Sequence, residues 1–308
     1  LMLLHGVLDS PDIPLNVSRS YLQADQNVKK ISNHITKKVA DKLEELCKSN
    51  REDYAKKWDD IKVFIDYGTL SEEKFGERSK KFMLFKNVAG EYFLFDEYLE
   101  KIKATQTDKD GKTVVLYTHS ETEHHAYLEN AKERGYDVLV LDSPLSSHLL
   151  NKLEQQNANV TFKRIDADTL DKLIKKADDI KSNLTEDQEK QLKELVEGIV
   201  NKETYHVHFE SLTEKDNPMV ITRPEFMRRM KEQSETGGGG MFGMANLPDS
   251  YNLVVNANHP LISKILIEAD GEKQKQLAKQ ASDLAMLSQG LLKGEALSKF
   301  IKRSVELI

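Results

Sequence analysis

The 308-residue chain has a single cysteine, Cys47. An intrachain disulfide framework and a cysteine-rich zinc site are both excluded, and a reducing compartment is the natural setting, so a cytoplasmic location is expected. Positive charge is not in excess: 45 Lys and Arg against 51 Asp and Glu give a formal net charge of -6, which disfavours nucleic acid and acidic membranes as partners. Long apolar runs are missing. The one near the start, LMLLHGVL, lacks a basic flank and is far too short to span a bilayer. It begins at Leu1 with neither an initiator Met nor a cap or turn, as in a chain cut from something longer. Aromatics make up only 7% and charged residues 31%, a composition suited to a soluble, helix-rich protein of two or three domains.

What the chain does have is a C-terminal stretch, 275–308, that reads as two amphipathic helices joined at Gly290 and Gly294. In the first, Leu277, Ala281, Leu284, Leu287 and Leu291 recur at three- and four-residue steps, widened by Ala278, Ala285 and Leu292. Leu297, Phe300, Ile301, Val305 and Ile308 do the same in the second. Such faces can pack onto the body of their own domain, or meet a second copy across a two-fold axis as a four-helix interface. About ten buried apolar side chains at ~1.5–3 kcal/mol each suffice for a dimer after the cost of association. The second reading is preferred: a homodimer with Leu284, Leu287, Leu291, Leu292, Leu297, Phe300, Ile301 and Val305 at its interface.

The fold expected for the whole is a multidomain α+β and α/β chain: a helical connector over 28–110, a small parallel α/β sandwich over 111–178, and an α+β domain over 185–308 that ends in the dimerising pair. Val28, Ile31, Ile35, Val39, Leu43 and Leu46 predict a long amphipathic helix. Tyr54, Trp58, Ile61 and Ile65 predict another, stopping at Gly68, and Thr69 with Glu72 has capping-box spacing for a third that carries Phe75, Phe82 and Phe85. Further on, VVLYT, DVLVLD and VTFKRID alternate with helical stretches at 122–134, 145–156 and 168–177, the order of a small parallel sheet. None of these strand ends carries GxGxxG or GxxxxGK, so the sheet reads as scaffold, and Ser147 beside His148 does not make a nucleophile elbow. Thr185 and Gln188 cap the next helix. In TYHVHFESL, alternation sets Tyr205, Val207 and Phe209 on one face and His206, His208 and Glu210 on the other. That pair, like His124 with His125, lacks a third ligand at a convincing spacing, so no metal is expected and a solvated face is preferred.

Two segments look functional. In RPEFMRRMKEQSETGGGGMFGMANLP, Pro224 suits the first position of a short helix carrying Phe226, Met227 and Met230. A linker follows at Gly237–Gly240, then Met241, Phe242 and Met244. These side chains either fill the domain's own core or form an adaptable apolar surface for unlike partners. In DSPDIPLNVSRSYLQ, Asn16 or Ser18 is a good N-cap, which places Arg19 in the first turn of a helix. A cation there opposes the helix dipole by ~0.3–1 kcal/mol. Arg19 is then either an ordinary surface arginine lying over Tyr21 or, beside unpaired amides, part of an anion site suited to phosphate.

The segment GVLDSPDIPLNVSRSYLQ resembles that of the heat-shock protein 90 chaperones in which a middle-domain arginine reaches the nucleotide pocket, and NLVVNANHPLISKIL and DLAMLSQGLLKGEALSKFIKRSVEL are similar to the same family's C-terminal domain. The resemblance covers essentially the whole chain but only the back part of the family's architecture, with 1–27 closing the large middle-domain α/β piece. It implies an ATP-dependent chaperone: Arg19 would meet the γ-phosphate with Asn16 and Gln23 beside it, and Phe226, Met227, Met230, Met241, Phe242 and Met244 would face non-native clients. The four-glycine run departs from the family's commoner pattern there. ATP and Mg would be bound by an N-terminal domain outside these residues, leaving this stretch alone without ATPase activity. A dimeric interaction scaffold with no ATP linkage is the alternative.

Overall fold

A computed structural model of the chain describes residues 26–176, 180–236 and 250–307, which divide into two compact units, one of residues 26–101 and 143–156 and the other of residues 102–142 and 157–307. The protein is mixed α+β.

The first unit opens with α1 (Gln26–Ser49), α2 (Arg51–Lys56), α3 (Trp58–Ser71) and α4 (Glu73–Ser79), followed by β1 (Leu84–Asn87), β2 (Tyr92–Leu94) and α5 (Phe95–Ile102). α1 forms where periodicity placed a helix, but its inner face is turned. Ala40 and Cys47 are buried, while Ile35 and Leu46 are exposed. Gly68 does not end α3, because its value there is the missing side chain: a Cβ would lie 2.9 Å from the Phe75 ring, so the helix continues to Ser71 and Phe75 packs against it. The expected Thr69/Glu72 capping box is absent, since Thr69 is still inside α3 and Glu72 makes no side-chain cap bond. Nor do Phe82 and Phe85 continue a helix. α4 stops at Ser79, and Phe85 sits in β1, paired with Phe93 across an antiparallel hairpin. Its turn is closed by Gly90 at φ 78° and by Asn87, whose Oδ1 accepts from the Glu91 amide at 2.8 Å.

The second unit begins with β3 (Thr113–Thr118), α6 (His125–Glu133) and β4 (Val138–Val140). After α7 (Ser146–Gln156), which belongs to the first unit, come β5 (Val160–Arg164) and α8 (Leu170–Leu173). β3 lies between β4 and β5 and is parallel to both, with Leu116 opposite Val138 and Val115 opposite Phe162. The strands expected from VVLYT, DVLVLD and VTFKRID therefore form as read. Val115, Leu116, Leu139 and Phe162 are buried, as both-face burial of a parallel sheet requires.

The chain continues through α9 (Glu186–Glu197), β6 (Tyr205–Glu210), β7 (Met219–Thr222), α10 (Glu225–Thr236), β8 (Tyr251–Asn256), α11 (Pro260–Ile267), α12 (Gly271–Ser288) and α13 (Gly294–Leu307). The Thr185/Gln188 capping box is present in both directions. β8 is central, parallel to β6 and antiparallel to β7. Val207 is buried between exposed His206 and His208, matching the alternation. α9, α11, α12 and α13 close the core around Val207, Ile221, Leu253, Val255, Ile262 and Ala281. Asp270 caps α12 by accepting from the amides of Glu272 and Lys273, and Gly290 and Gly294, both at positive φ, make the break between α12 and α13.

Candidate functional site

α10 is built inside out. Glu225, Arg228, Arg229 and Glu232 follow at three- and four-residue steps, so they share one face of the helix, and that face is turned toward the parallel strands. The side chains of Glu225, Arg228 and Arg229 are only 14%, 11% and 12% exposed. The Glu225 carboxylate accepts from the Tyr117 hydroxyl at 2.9 Å, from Arg228 and Arg229 at 2.6 Å each, and from the Arg164 amide at 3.1 Å. Arg229 also donates to the Phe162 carbonyl at 2.7 Å, and Arg228 to Glu232 at 2.6 Å. Burial alone would lower the Arg228 pKa, but Glu225, Tyr117 and Glu232 outweigh it and raise it, so the guanidinium stays charged. The Tyr117 hydroxyl is pushed well above its usual range by burial, with Glu225 adding to it. Meanwhile Phe226 stands 71% exposed and Met230 is half-buried.

The network continues past the ends of β3 and β5. Arg164 donates to both oxygens of Asp166, at 2.5 and 2.7 Å, and the Arg223 amide donates to the Asp166 carbonyl at 2.8 Å. Burial acts to raise the Asp166 pKa, but Arg164, His124 and Arg228 together hold it below the ordinary value. His124 is buried, which lowers its pKa to about 4; the imidazole is neutral at pH 7, so its 3.5 Å approach to the Asp166 carboxylate is not an ion pair. Its Nδ1 lies 2.8 Å from Thr118 Oγ1. Among the described residues, His119, Glu123 and His124 bring one potential metal-donor atom each to within 4.8 Å of one another. Sequence reading passed over this assembly. A charged stripe on a short helix reads as a solvated face, and only the inward Glu225–Tyr117 bond reverses that.

The terminal hairpin has two sides. Leu292 and Phe300, both in the expected interface set, are buried in the chain's own core, and Leu291 and Leu297 pack against that core. Leu284, Leu287, Ile301 and Val305 remain 45%, 40%, 53% and 70% exposed. The hairpin's crossing is fixed by buried Asp283, which pairs with Lys279 on its own helix and with Arg303 on α13, while Gln280 accepts from Arg303 at 2.8 Å and donates to Ser304 at 2.7 Å. Of the other expected positions, Asn16, Arg19, Gln23, Met241, Phe242 and Met244 lie outside the described residues, and Met227 is placed only as a backbone position in α10.

The family model described as Hsp90 protein matches residues 1–307. The chain belongs to the Hsp90 family. Among curated Hsp90 relatives, "Chaperone protein HtpG" of Porphyromonas gingivalis is 39% identical over the whole of this chain and is itself covered over 55% of its length. That of Bacteroides fragilis is 37% identical with the same coverage, and that of Bdellovibrio bacteriovorus 25% identical over 94% of this chain and 46% of its own. The chain thus spans about half the length of the curated Hsp90 proteins it matches. No helix among the described residues is long and apolar enough to cross a membrane.

Proposed function

We propose that this chain forms the middle and C-terminal part of an ATP-driven, dimeric Hsp90-type chaperone of the cytoplasm that holds non-native client proteins. The observation that carries the reading is the outward row of Leu284, Leu287, Ile301 and Val305 on a hairpin whose other apolar residues are already spent on its own core. A second copy of the same helix pair is a self-complementary occupant for such a row. Sedimentation equilibrium of the chain alone tests this directly. A dimer at low micromolar concentration is expected, and a monomer at tens of micromolar would remove the mechanical element of the clamp.

Phe226 and Met230, on a helix held from its charged side, extend the reading to client contact, and the family resemblance adds Met227, Met241, Phe242 and Met244 to the same role. Among the described residues no strand end carries a glycine phosphate loop, and the resemblance to the family assigns ATP and its Mg to the N-terminal domain of the full-length architecture. From this chain, Arg19, flanked by Asn16 and Gln23, would neutralise charge developing on the transferred phosphoryl group, a role that can be worth ~10³–10⁵ in rate. In a full-length protein, Arg19→Ala should nearly abolish turnover while nucleotide still binds. Unchanged turnover would leave the scaffold without ATP linkage as the better account.

A further inference from the structure

The geometry points to a divalent-metal site of the zinc class formed by His119, Glu123 and His124, independent of the chaperone reading. These residues occupy the loop between β3 and α6, at the carboxyl end of the central strand of the parallel sheet, the edge at which α/β sheets hold ligands. Two imidazoles and one carboxylate each offer a donor atom within 4.8 Å of the others. Glu123 lies 3.2 Å from His119 Nε2, and the two rings meet edge to face with centroids 4.7 Å apart.

His124 has the fixed orientation of a ligating histidine. One ring nitrogen is held by Thr118 at 2.8 Å, and the other, 3.5 Å from Asp166, has no hydrogen bond of ordinary length there. Charge does not oppose a cation as strongly as the neighbouring arginine suggests. Arg164 comes within 3.4 Å of His119 Nδ1 and Arg223 lies 3.8 Å from Asp166, but Arg164 is offset by both oxygens of Asp166 and by Glu232 at 3.4 Å, and Glu123, paired with His119 at 3.2 Å, adds a negative charge on the solvent side.

A tetrahedral zinc with ligands at about 2.0–2.1 Å places its donors about 3.4 Å apart, so His119 and Glu123 must close by up to roughly 1.4 Å onto the anchored His124. Both are exposed loop side chains. An imidazole and carboxylate set suits Zn²⁺, Co²⁺ or Ni²⁺ over Mg²⁺ or Ca²⁺, which prefer all-oxygen shells. The bound ion would staple the end of β3 to the start of α6 and leave its fourth position to water.

The test uses the chain without a polyhistidine tag, stripped with chelator, and titrated with Zn²⁺ by calorimetry and with Co²⁺ by the intensity of its d–d absorption. One ion per chain with a tetrahedral-type Co²⁺ spectrum is expected. His119→Ala and Glu123→Gln, both at the surface, should each weaken binding by about tenfold or more, while His125→Ala, next in sequence but outside the cluster, should not. The site is overturned by the absence of saturable binding below ~100 μM, by wild-type affinity in the His119→Ala/Glu123→Gln double variant, or by an equal loss in His125→Ala.

Discussion

Replacing Glu225 with alanine removes the carboxylate at which most of the bonds holding α10 converge. Four donors converge on it: the Tyr117 hydroxyl, the Arg164 amide and the guanidinium groups of Arg228 and Arg229. Arg228 keeps Glu232 and Arg229 keeps the Phe162 carbonyl, so neither cation is wholly stranded, but both lose their shared counter-charge in a setting where their side chains are about nine-tenths covered. Breaking a buried pair by deleting one partner costs about 3–5 kcal/mol, and the surviving partners bring the expectation to the lower end, ~3 kcal/mol. A helix of twelve residues has little stability of its own, so the loss should appear as local opening of α10 with the surrounding strands intact. Hydrogen exchange of peptides covering 225–236 is the assay, with an expected acceleration of about 100-fold for a 3 kcal/mol loss and little change in β8. Glu225→Gln, which keeps the hydrogen-bonding shape without the charge, should fall between. Unaltered exchange across 225–236 in the alanine variant would show that the ionic face is not what holds the helix, and the argument from its burial would fail.

Four further outcomes are expected. Leu284→Lys with Ile301→Lys should raise the dissociation constant of the proposed dimer by at least ~100-fold in sedimentation without changing the far-UV spectrum, because both side chains are about half exposed in the single chain and like charges would meet across the proposed axis; retained dimer would refute that face. Leu292→Lys, aimed at the core, should instead lower folding stability by ~3 kcal/mol or more whatever the oligomeric state. Cys47 is buried and its thiol pKa is raised by that burial, with Arg51 only partly offsetting it, so alkylation at pH 8 should run about two orders of magnitude slower in the folded chain than in urea, and free-thiol rates without denaturant would contradict its placement. Asp168 has its pKa raised by burial, reinforced by Glu210 and partly countered by the Thr169 amide. Its ionised form therefore costs stability, and Asp168→Asn should stabilise the protein at pH 7 by an amount that shrinks as pH falls through the raised folded value and vanishes below the unfolded value near ~3.9. A variant less stable than wild type at pH 7 in thermal unfolding would refute it.

The elements that could be read from the sequence are those whose signal is local and repeated. The terminal pair shows helical periodicity and two glycines that supply the positive φ at its break, and the three parallel strands stand out as apolar runs between helical stretches. Errors arose where one residue served a distant neighbour. Gly68 read as a stop but is a contact for Phe75, and Phe85 extended a helical pattern while its partner, Phe93, lay eight residues on. In α1 the largest apolar side chains were given the inner face, although small Ala40 and Cys47 occupy it. The same limit hid the charged anchor of α10 and the meeting of His119 with His124, because both depend on which way a loop or helix faces after folding. Along the terminal hairpin, period alone identified the stripe but could not divide Leu284 from Leu292.

The strand order β6-β8-β7 has an evolutionary consequence. β8 is clasped on both edges, so its register is set by two neighbours and not by the length of chain that delivers it. The connection between Thr222 and Tyr251, which includes α10, leaves β7 and enters β8 at fixed points. Doubling the length of such a connection costs only about 0.6 kcal/mol. Residues can therefore be added or lost between the end of α10 and Tyr251 without moving α11, α12 or α13, and lineages are free to vary the length of that connection while keeping the terminal hairpin in place.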